Sequence, residues 1–164
     1  MQKLSRACNK SVNLLMLDGQ RMVFIERIRV PSLRDFNISV GSSVPVYNTA
    51  AGRTVLAHLS EEKLKKIIHD LKKNREALPH IGENAIRLTR LLGRIRKDGF
   101  AINDEESAKG IRAIAVPIFS RDGIACAIDL IVSPEETSVD ELKREYAPGL
   151  ISTGIEISEA LGYQ

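Results

Sequence analysis

Apolar residues near the start of the chain follow the spacing of extended strands. The segments VNLLML (12–17) and RMVFIERI (21–28) are rich in apolar and β-branched residues, and they flank Asp18-Gly19. Because an Asp-Gly pair readily adopts the positive φ angles of a tight turn, this region predicts a β-hairpin. Leu14–Leu17 are apolar on both faces, which is typical of a strand covered from both sides.

Strands are predicted at three further places. From Phe36 to Val40 apolar and polar residues alternate, which is the pattern of a half-buried strand. Nearer the other end of the chain, the short segment FAIN (100–103) is followed by IRAIAVPIF (111–119) and IACAIDLIVS (124–133). Arg121-Asp122-Gly123 separates the last two segments, so we expect them to form a second hairpin.

Helices are predicted between these β regions and after them. Thr49 and Ser60 each precede a helical segment in a position to cap its first turn. The second and third helical segments each carry one apolar face, formed by Leu64, Ile67, Ile68 and Leu71, and by Leu88, Leu91, Leu92 and Ile95. The third is expected to end at Asp98-Gly99. A last helix is expected to start at a Ser138 cap, and Pro148-Gly149 is expected to kink or break it.

The order of these elements indicates one α/β domain of the α+β type. The chain has 164 residues, enough for one full core and too few for two typical domains, so we expect one domain over residues 1–164. Two hairpin-bearing regions surround the helices, which favours a mixed, largely antiparallel sheet with helices packed on its faces. Residues 1–8 are expected to form the last turns of a helix that enters from upstream.

Composition excludes several classes of protein. Hydrophobic residues make up 43% and charged residues 27%, and no apolar run approaches the roughly 18 residues of a membrane span. The N-terminal segment lacks the apolar core of a signal peptide. Cys8 and Cys126 lie far apart and are expected to be reduced thiols in a cytoplasmic protein. The histidines are spaced about eleven residues apart, unlike zinc ligands, so we expect no metal and no cofactor.

Two charged motifs are candidates for chemistry. Arg87, Arg90, Arg94 and Lys97 share one face of the third helix, away from its apolar face. A phosphate-binding face is one interpretation, but the net charge of +3 is mild, and such a stripe more often contacts only water. The acidic cluster Asn103–Glu106 contains carboxylates that could act as acid and base, but adjacent carboxylates in a loop more often form a solvated turn.

The helix start at Thr49–Gly52 is a candidate anion site. The first turn of a helix leaves backbone N–H groups unpaired, and the helix dipole adds partial positive charge there. The small side chains of Ala50 and Ala51 let a carboxylate approach these donors closely. An ordinary capped helix with small residues for close packing explains the same segment equally well.

Two residues of the last predicted strand stand out. Asp129 interrupts an apolar segment, where a buried charge is costly unless another group pairs with it. It can face water at a sheet edge, pair with an arginine or point into a binding cavity, and the sequence leaves these alternatives open. Cys126 is more often a small core residue than a nucleophile, because no histidine lies near it in sequence.

Two stretches together resemble the C-terminal effector-binding domain of the IclR family of transcription regulators. Residues 40–59, VGSSVPVYNTAAGRTVLAHL, are similar to the family's glycine, proline and small residues before a Leu-Ala helix. Residues 95–134 are similar to its succession of an aromatic residue, an acidic cluster, Gly-Ile-Arg, Ala-Val-Pro, Asp-Gly and a final strand. The match covers nearly the whole chain, and the order of the motifs is more specific than any one of them.

The resemblance implies a GAF-like fold and a cytoplasmic regulator that assembles as a homodimer or as a dimer of dimers, a homotetramer. It implies a small-molecule effector, an organic acid or related metabolite, that allosterically modulates operator binding. The family places a winged helix-turn-helix domain before this region, so DNA contact is expected only through a domain absent from this chain. The resemblance implies neither enzyme activity nor membrane association.

In the family, small carboxylates bind between the sheet and the helix start. Carried over residue by residue, the effector-binding positions are Val44, Ala50, Ala51, Asn103, Ala113, Leu130 and Val132. The family often has an aspartate where Asn103 stands and a cysteine where Ala113 stands. It often has serines where Leu130 and Val132 stand, so the effector is expected to be more apolar than glyoxylate or pyruvate, either aromatic or medium-chain.

The last two positions depend on where a one-residue gap is placed. The preferred register keeps Asp122-Gly123 and Pro134 aligned with the family pattern. If the gap lies earlier, Asp129 and Ile131 take the serine positions, and Asp129 enters the pocket.

Two other functions compete with effector sensing. A GAF-like enzyme acting through Cys126 requires an accessible thiol with a lowered pKa. A dimerisation module without a ligand requires a packed interior with no polar-edged cavity near Ala50 and Asn103.

Overall fold

The computed structural model of this chain describes residues 1–31 and 38–164. These residues form the strands β1 (Ser11–Asp18), β2 (Arg21–Ile28), β3 (Ser43–Pro45), β4 (Ala101–Asp104), β5 (Arg112–Ser120) and β6 (Gly123–Val132). The helices are α1 (Gln2–Cys8), α2 (Ala50–His58), α3 (Glu61–Leu71), α4 (Leu78–Ile81), α5 (Ile86–Asp98), α6 (Val139–Glu141) and α7 (Ala147–Ala160). A 3-10 turn at Glu83–Ala85 precedes α5, and a π-helical stretch at Leu142–Tyr146 joins α6 to α7.

The strands form one sheet in the order β3-β2-β1-β6-β5-β4, and each neighbouring pair is antiparallel. Both predicted hairpins are present. Gly19, with a φ of 57°, lies in the turn between β1 and β2, and Gly123, with a φ of 103°, begins β6. The two hairpins meet at the centre of the sheet, where β1 pairs with β6. The predicted α+β fold with a largely antiparallel sheet is confirmed.

The strand predicted over residues 36–40 is wrong in its described part. Residues 36 and 37 lie outside the described residues, and residues 38–40 belong to no strand. The chain turns over residues 39–42, where the amide of Ser42 donates to the carbonyl of Ser39 at 3.0 Å and Gly41 has a φ of 88°, so the end of the predicted segment is not extended. The strand that pairs with β2 is instead β3, which lies opposite Arg21–Val23.

The sheet separates two hydrophobic cores, because successive residues of a strand point to opposite faces. In β5, Ala113 and Ala115 face the core formed with α2 and α5. Ile114, Val116 and Ile118 face the other core, which α1 and α7 cover. The same alternation along β6 decides which of its side chains lie near α2.

The helix boundaries follow local signals. The caps predicted at Thr49, Ser60 and Ser138 are present, and each side-chain oxygen accepts a hydrogen bond from the backbone N–H three residues later. Gly99, with a φ of 78°, ends α5 as predicted. Pro148 lies in the first turn of α7, directly after the π-helical stretch, so the predicted interruption is present. Among the helices of residues 1–31 and 38–164, none combines the length and apolar character needed to cross a membrane.

The first turn of α2 approaches the preceding chain closely at Gly52. A Cβ on this residue would stand 2.2 Å from the carbonyl oxygen of Val46, far inside van der Waals contact. Val46 is fully buried, and its amide donates to the carbonyl of Gln20 in the turn between β1 and β2. The missing side chain therefore lets α2 start directly against the sheet.

Replacing Gly52 by alanine is expected to lower the free energy of unfolding by about 3 kcal/mol, because backbone atoms of Val46 must move to admit the new methyl group. Urea denaturation followed by circular dichroism measures the change. Gly93→Ala is the matched control, since nothing lies within 4 Å of a Cβ at this position of α5. Alanine there should stabilise the helix by about 1 kcal/mol. Equal effects of the two substitutions would contradict the close packing at Gly52.

Candidate functional site

A cavity of about 130 Å³ lies between the sheet, the start of α2 and the loop that joins β4 to β5. We call it the sheet cavity. Most of its wall is apolar and includes Leu15, Phe24, Ile38, Val44, Ile111 and Ile131. Its polar side chains belong to Thr49, Asn103, Ser107 and Asp129. A dry cavity of about 150 Å³ is large enough to hold benzene, so the sheet cavity has the size for a small organic molecule.

Four of the effector positions expected from the sequence line the sheet cavity, namely Val44, Ala50, Asn103 and Ala113. Ala51 is buried beside it, in the apolar core, and does not form part of its wall. Leu130 and Val132 are buried in the core on the opposite face of the sheet. The structure therefore brings Val44, Ala50, Asn103 and Ala113 together at the cavity. It places Leu130 and Val132 on the other side of the sheet.

The alternation of side chains along β6 explains this difference. Asp129 pairs with Ala115 of β5 and faces the sheet cavity together with Ile131. Leu130, one residue further, pairs with Ile114 and faces the other core. Of the two registers considered for the sequence, the preferred one places its two positions outside the cavity, whereas the register shifted by one residue places both in its wall. The expectation of an apolar effector consequently loses the support it drew from Leu130 and Val132.

The start of α2 presents backbone donors to the sheet cavity. Thr49 Oγ1 accepts a hydrogen bond from the amide of Gly52 at 3.2 Å, and its hydroxyl donates to the carbonyl of Pro45 at 2.8 Å. Within the described residues, no hydrogen bond is made by the amides of Ala50 and Ala51, which precede Gly52 in the first turn. These N–H groups and the helix dipole favour an anion at this wall of the cavity.

Asn103 connects this helix start to the far edge of the sheet. Its side-chain amide donates to the carbonyl of Asn48, the residue before the helix cap. Its Oδ1 accepts from the hydroxyl of Ser107 at 3.1 Å. Asn103 is almost completely buried, and both ends of its amide are engaged by the protein. It therefore positions the loop and the helix start around the cavity.

Arg53 is a site-forming residue that the sequence interpretation missed. It is 2% exposed, although it carries a charge within α2. Its two terminal nitrogens donate to both carboxylate oxygens of Glu106, at 2.7 and 2.6 Å, and Nε donates to the carbonyl of Tyr47 at 2.9 Å. The hydrogen bond from Arg53 holds the pKa of Glu106 below its ordinary value, against the opposing effect of burial. The sequence signal for a buried, paired arginine is the single arginine inside the apolar segment AAGRTVLAH.

The acidic cluster that follows β4 is held in place by arginines. Glu106 pairs with Arg53, and Asp104 accepts from Arg112 Nε at 2.7 Å. Glu105 takes a φ of 58° at the tight turn between them. Two of the three carboxylates thus have structural partners, and the loop they stabilise carries Ser107 and Ala108 to the cavity wall. The basic stripe of α5 lies in solvent, in agreement with the solvated interpretation.

Asp129 places a carboxyl group inside the sheet cavity. It is 4% exposed and lies in a central strand, so the edge position considered from the sequence is excluded. The side-chain amide of Asn13, its neighbour on β1, donates to Asp129 Oδ1 at 2.7 Å. Burial raises the pKa of Asp129 to about 7, and the Asn13 hydrogen bond and the charge of Arg27 oppose this rise.

Cys126 does not have the properties of a reactive thiol. Its side chain lies in the core on the α7 side of the sheet and is 5% exposed. Burial raises its pKa to about 11, so the thiolate is strongly disfavoured near neutral pH. Within the described residues, no group of three or more histidine, cysteine, aspartate or glutamate side chains is arranged to hold a metal ion.

Comparison with known proteins agrees with this fold. The family described as bacterial transcriptional regulator IclR, C-terminal, matches residues 1–159. The chain is 30% identical to the HTH-type transcriptional regulator KdgR of Escherichia coli (strain K12) over 164 residues, which are 99% of this chain and 62% of that protein. The chain thus spans about three fifths of the length of this curated relative.

Two solved structures are similar over 99% of the chain. Thermotoga maritima IclR has a TM-score of 0.85 and 29% identity, with 65% of that chain covered. The C-terminal domain of E. coli KdgR has a TM-score of 0.81 and 28% identity, with 94% of that chain covered. The resemblance drawn from the sequence motifs is thereby confirmed, and the chain belongs to the IclR family of bacterial transcriptional regulators, where it corresponds to the C-terminal domain.

Proposed function

We propose that this domain binds a small organic acid in the sheet cavity and thereby modulates how a DNA-binding domain engages its operator. The observation that carries the proposal is the juxtaposition of unpaired helix-start amides and a small apolar cavity. The amide of Ala50, a residue of the cavity wall, supplies a donor for a carboxylate, and Leu15, Phe24 and Ile131 supply a wall for its carbon skeleton. Ligand pockets commonly combine an apolar wall with a few placed polar groups.

The sensing role follows from thermodynamic linkage. A ligand shifts the affinity of the regulator for DNA only by its differential affinity for the two conformations of the regulator. The sheet cavity is bounded by α2 and by the loop of Ser107, two elements joined through the Arg53–Glu106 ion pair. An acid that fills the space between them can favour one arrangement of these elements over another.

The remaining expectations extend this proposal to the whole regulator. The DNA-binding half is proposed to be a winged helix-turn-helix domain in the part of the regulator that this chain does not include. We propose a cytoplasmic homodimer or dimer of dimers, and no enzyme activity for this domain. The raised pKa and burial of Cys126 disfavour thiol catalysis, and the sheet cavity near Ala50 and Asn103 disfavours a module without a ligand.

We propose an aromatic or medium-chain acid as the effector. The support comes from the apolar side chains of the cavity wall and not from Leu130 and Val132. Phe24 and Ile131 offer apolar contact to a ring or a short alkyl chain. Each methylene transferred from water to such a wall contributes about 0.8 kcal/mol, which favours a longer skeleton over a two-carbon acid.

Small carboxylic acids are expected to raise the melting temperature of the domain. The probes are benzoate and straight-chain acids of two to six carbons, measured by thermal shift at neutral pH. An acid at a hundred times its dissociation constant adds about 2.7 kcal/mol of stability. Benzoate or the longer acids should act at lower concentrations than acetate.

Ala50→Leu is expected to abolish this response, because the larger side chain fills the cavity wall. Ala160→Leu is the matched control, since residue 160 is exposed at the end of α7, and it should respond like the native domain. Circular dichroism verifies that both variants fold. If no acid stabilises the native domain, or if Ala50→Leu responds equally, the proposed function is wrong.

The stability of the unliganded domain is expected to fall between pH 4 and pH 7 because of Asp129. Its pKa rises from 3.8 to about 7, so the folded domain keeps a proton that the unfolded chain releases. The contribution is fully present below the lower pKa and is lost as the pH rises towards 7, by roughly 4 kcal/mol. No lysine, arginine, histidine or second carboxylate is among the described residues of the cavity wall.

Asp129→Asn is expected to remove this loss, because an amide does not titrate. Urea denaturation from pH 4.5 to pH 8 should show the variant gaining stability relative to the native domain as the pH rises. A constant difference between the two proteins over this range would contradict the raised pKa of Asp129.

A further inference from the structure

The carboxyl group of Asp129 is a polar feature of the sheet cavity that recognition of an organic acid does not by itself explain. A second acid in the wall of a cavity repels a carboxylate ligand when it is ionised, and it costs free energy to bury in either state. The cavity would hold an acid with less penalty if an apolar residue stood here. The position of Asp129 therefore requires an account of what it contacts.

Only one of its two oxygens is engaged. Asn13 donates to Oδ1 at 2.7 Å, and within the described residues no hydrogen bond to Oδ2 is present. The side-chain oxygen of Asn13 is also buried without a hydrogen-bond partner among these residues. The described residues thus supply no donor to Asp129 Oδ2 or to Asn13 Oδ1, and leaving a buried acceptor without a donor costs free energy.

The neighbouring strands do not satisfy Oδ2. On β1 the paired residue is Asn13, and on β5 it is Ala115, which has no polar side chain. Arg27 of β2 pairs with Asn13 one strand further away, and its guanidinium donates to the carbonyl of Ile38. Among the described residues that pair with Asp129 on β1 and β5, none donates to Oδ2, which leaves this oxygen available to a donor from within the cavity.

Another part of the cavity wall has the opposite polarity. There the amide of Ala50 and the first turn of α2 present donors, with Thr49 as the helix cap. A small molecule that spans the cavity thus meets donors at the helix and an acceptor at the sheet. The ligand that complements this wall is an acid that carries a hydrogen-bond donor away from its carboxylate.

We propose that the sheet cavity selects a small hydroxy acid, whose carboxylate accepts hydrogen bonds from the start of α2 and whose hydroxyl donates to Asp129 Oδ2. This inference rests on the proposed function, because it assumes that the acid binds in this cavity. Asp129 then determines specificity, since it distinguishes a hydroxy acid from the same acid without the hydroxyl. Asn13 is a positioning residue that fixes the orientation of the carboxyl group.

A hydroxyl suits this position better than an ammonium group. Transferring an ammonium ion to an apolar cavity carries a larger desolvation cost than transferring a hydroxyl. A hydroxyl also pairs with the Asp129 carboxyl in either protonation state, because it can both donate and accept. An ammonium ion requires the ionised form.

The test compares matched probes on the native domain by isothermal titration calorimetry at pH 7. Each set contains a parent acid, a hydroxy acid and an acid that carries an ammonium group at pH 7: benzoate with 3-hydroxybenzoate and 3-(aminomethyl)benzoate, and pentanoate with 5-hydroxypentanoate and 5-aminopentanoate. In at least one set the hydroxy acid is expected to bind about tenfold or more tightly than its parent, the ratio for one hydrogen bond to a charged group.

Asp129→Leu is expected to abolish this ratio, so that parent and hydroxy acids bind equally. Asp129→Asn provides a second variant of nearly the same shape, and in it the hydroxy acid should lose its advantage over an acid that carries a carbonyl at the same position, tested with 5-oxohexanoate. Asp122→Asn is the matched control, because that carboxylate is exposed in the turn between β5 and β6, and it should leave every affinity unchanged.

The outcomes separate this inference from the proposed function. If parent acids bind as tightly as hydroxy acids, or if Asp129→Leu retains the tenfold ratio, the inference is wrong while acid binding stands. If the amino acids bind most tightly, the ligand class is cationic at this end and the hydroxyl assignment is overturned. If no acid of either set binds the native domain, both the inference and the proposed function fail.

Discussion

The pairing of β1 with β6 is the constraint on which the rest of the structure depends. It joins two local hairpins into one sheet and brings Asn13 against Asp129, which is 116 residues away in sequence. Closing such a loop costs conformational entropy that only the burial of both sheet faces can offset. Once the register of this pair is set, the alternation of side chains assigns each residue of β6 to the cavity or to the opposite core.

Polar contacts fix the positions of the elements that surround the cavity. Gly52 lets α2 begin close to Val46, and Arg53 extends from the same helix to Glu106 of the loop after β4. Asn103 joins that loop region to the residue before the helix cap. A buried ion pair adds little net stability, but removing one partner leaves an uncompensated charge, so Arg53 and Glu106 define where the loop must lie.

The cavity wall contains both hydrogen-bond donors and a hydrogen-bond acceptor. It includes a backbone donor at the start of α2, an acceptor on the sheet and several apolar side chains. Asp129 keeps a proton until about pH 7 in this environment, because burial disfavours its charged form. A domain without a ligand would be more stable with an apolar residue at this position, because burying a carboxyl group costs free energy.

Local signals in the sequence determined the hairpins, the helix caps and the end of α5, because turns and caps depend on residues three or four positions apart. The order of motifs also identified Val44, Ala50, Asn103 and Ala113, which stand together at the cavity. The alternation over residues 36–40 failed as a strand signal because the turn at Gly41 overrides it.

Long-range packing was needed to identify the partner of Arg53, the two hydrogen bonds of the Asn103 side chain and the face of β6 that meets α2. A shift of one residue exchanges Leu130 and Val132 for Asp129 and Ile131, and both alternatives are compatible with the same apolar strand. Long-range pairing with Asn13 and Ala115 selects between them. The order of motifs along the chain was therefore enough to identify the family and four residues of the cavity wall, while the pairing of distant strands selected the side chains of β6 that line the cavity.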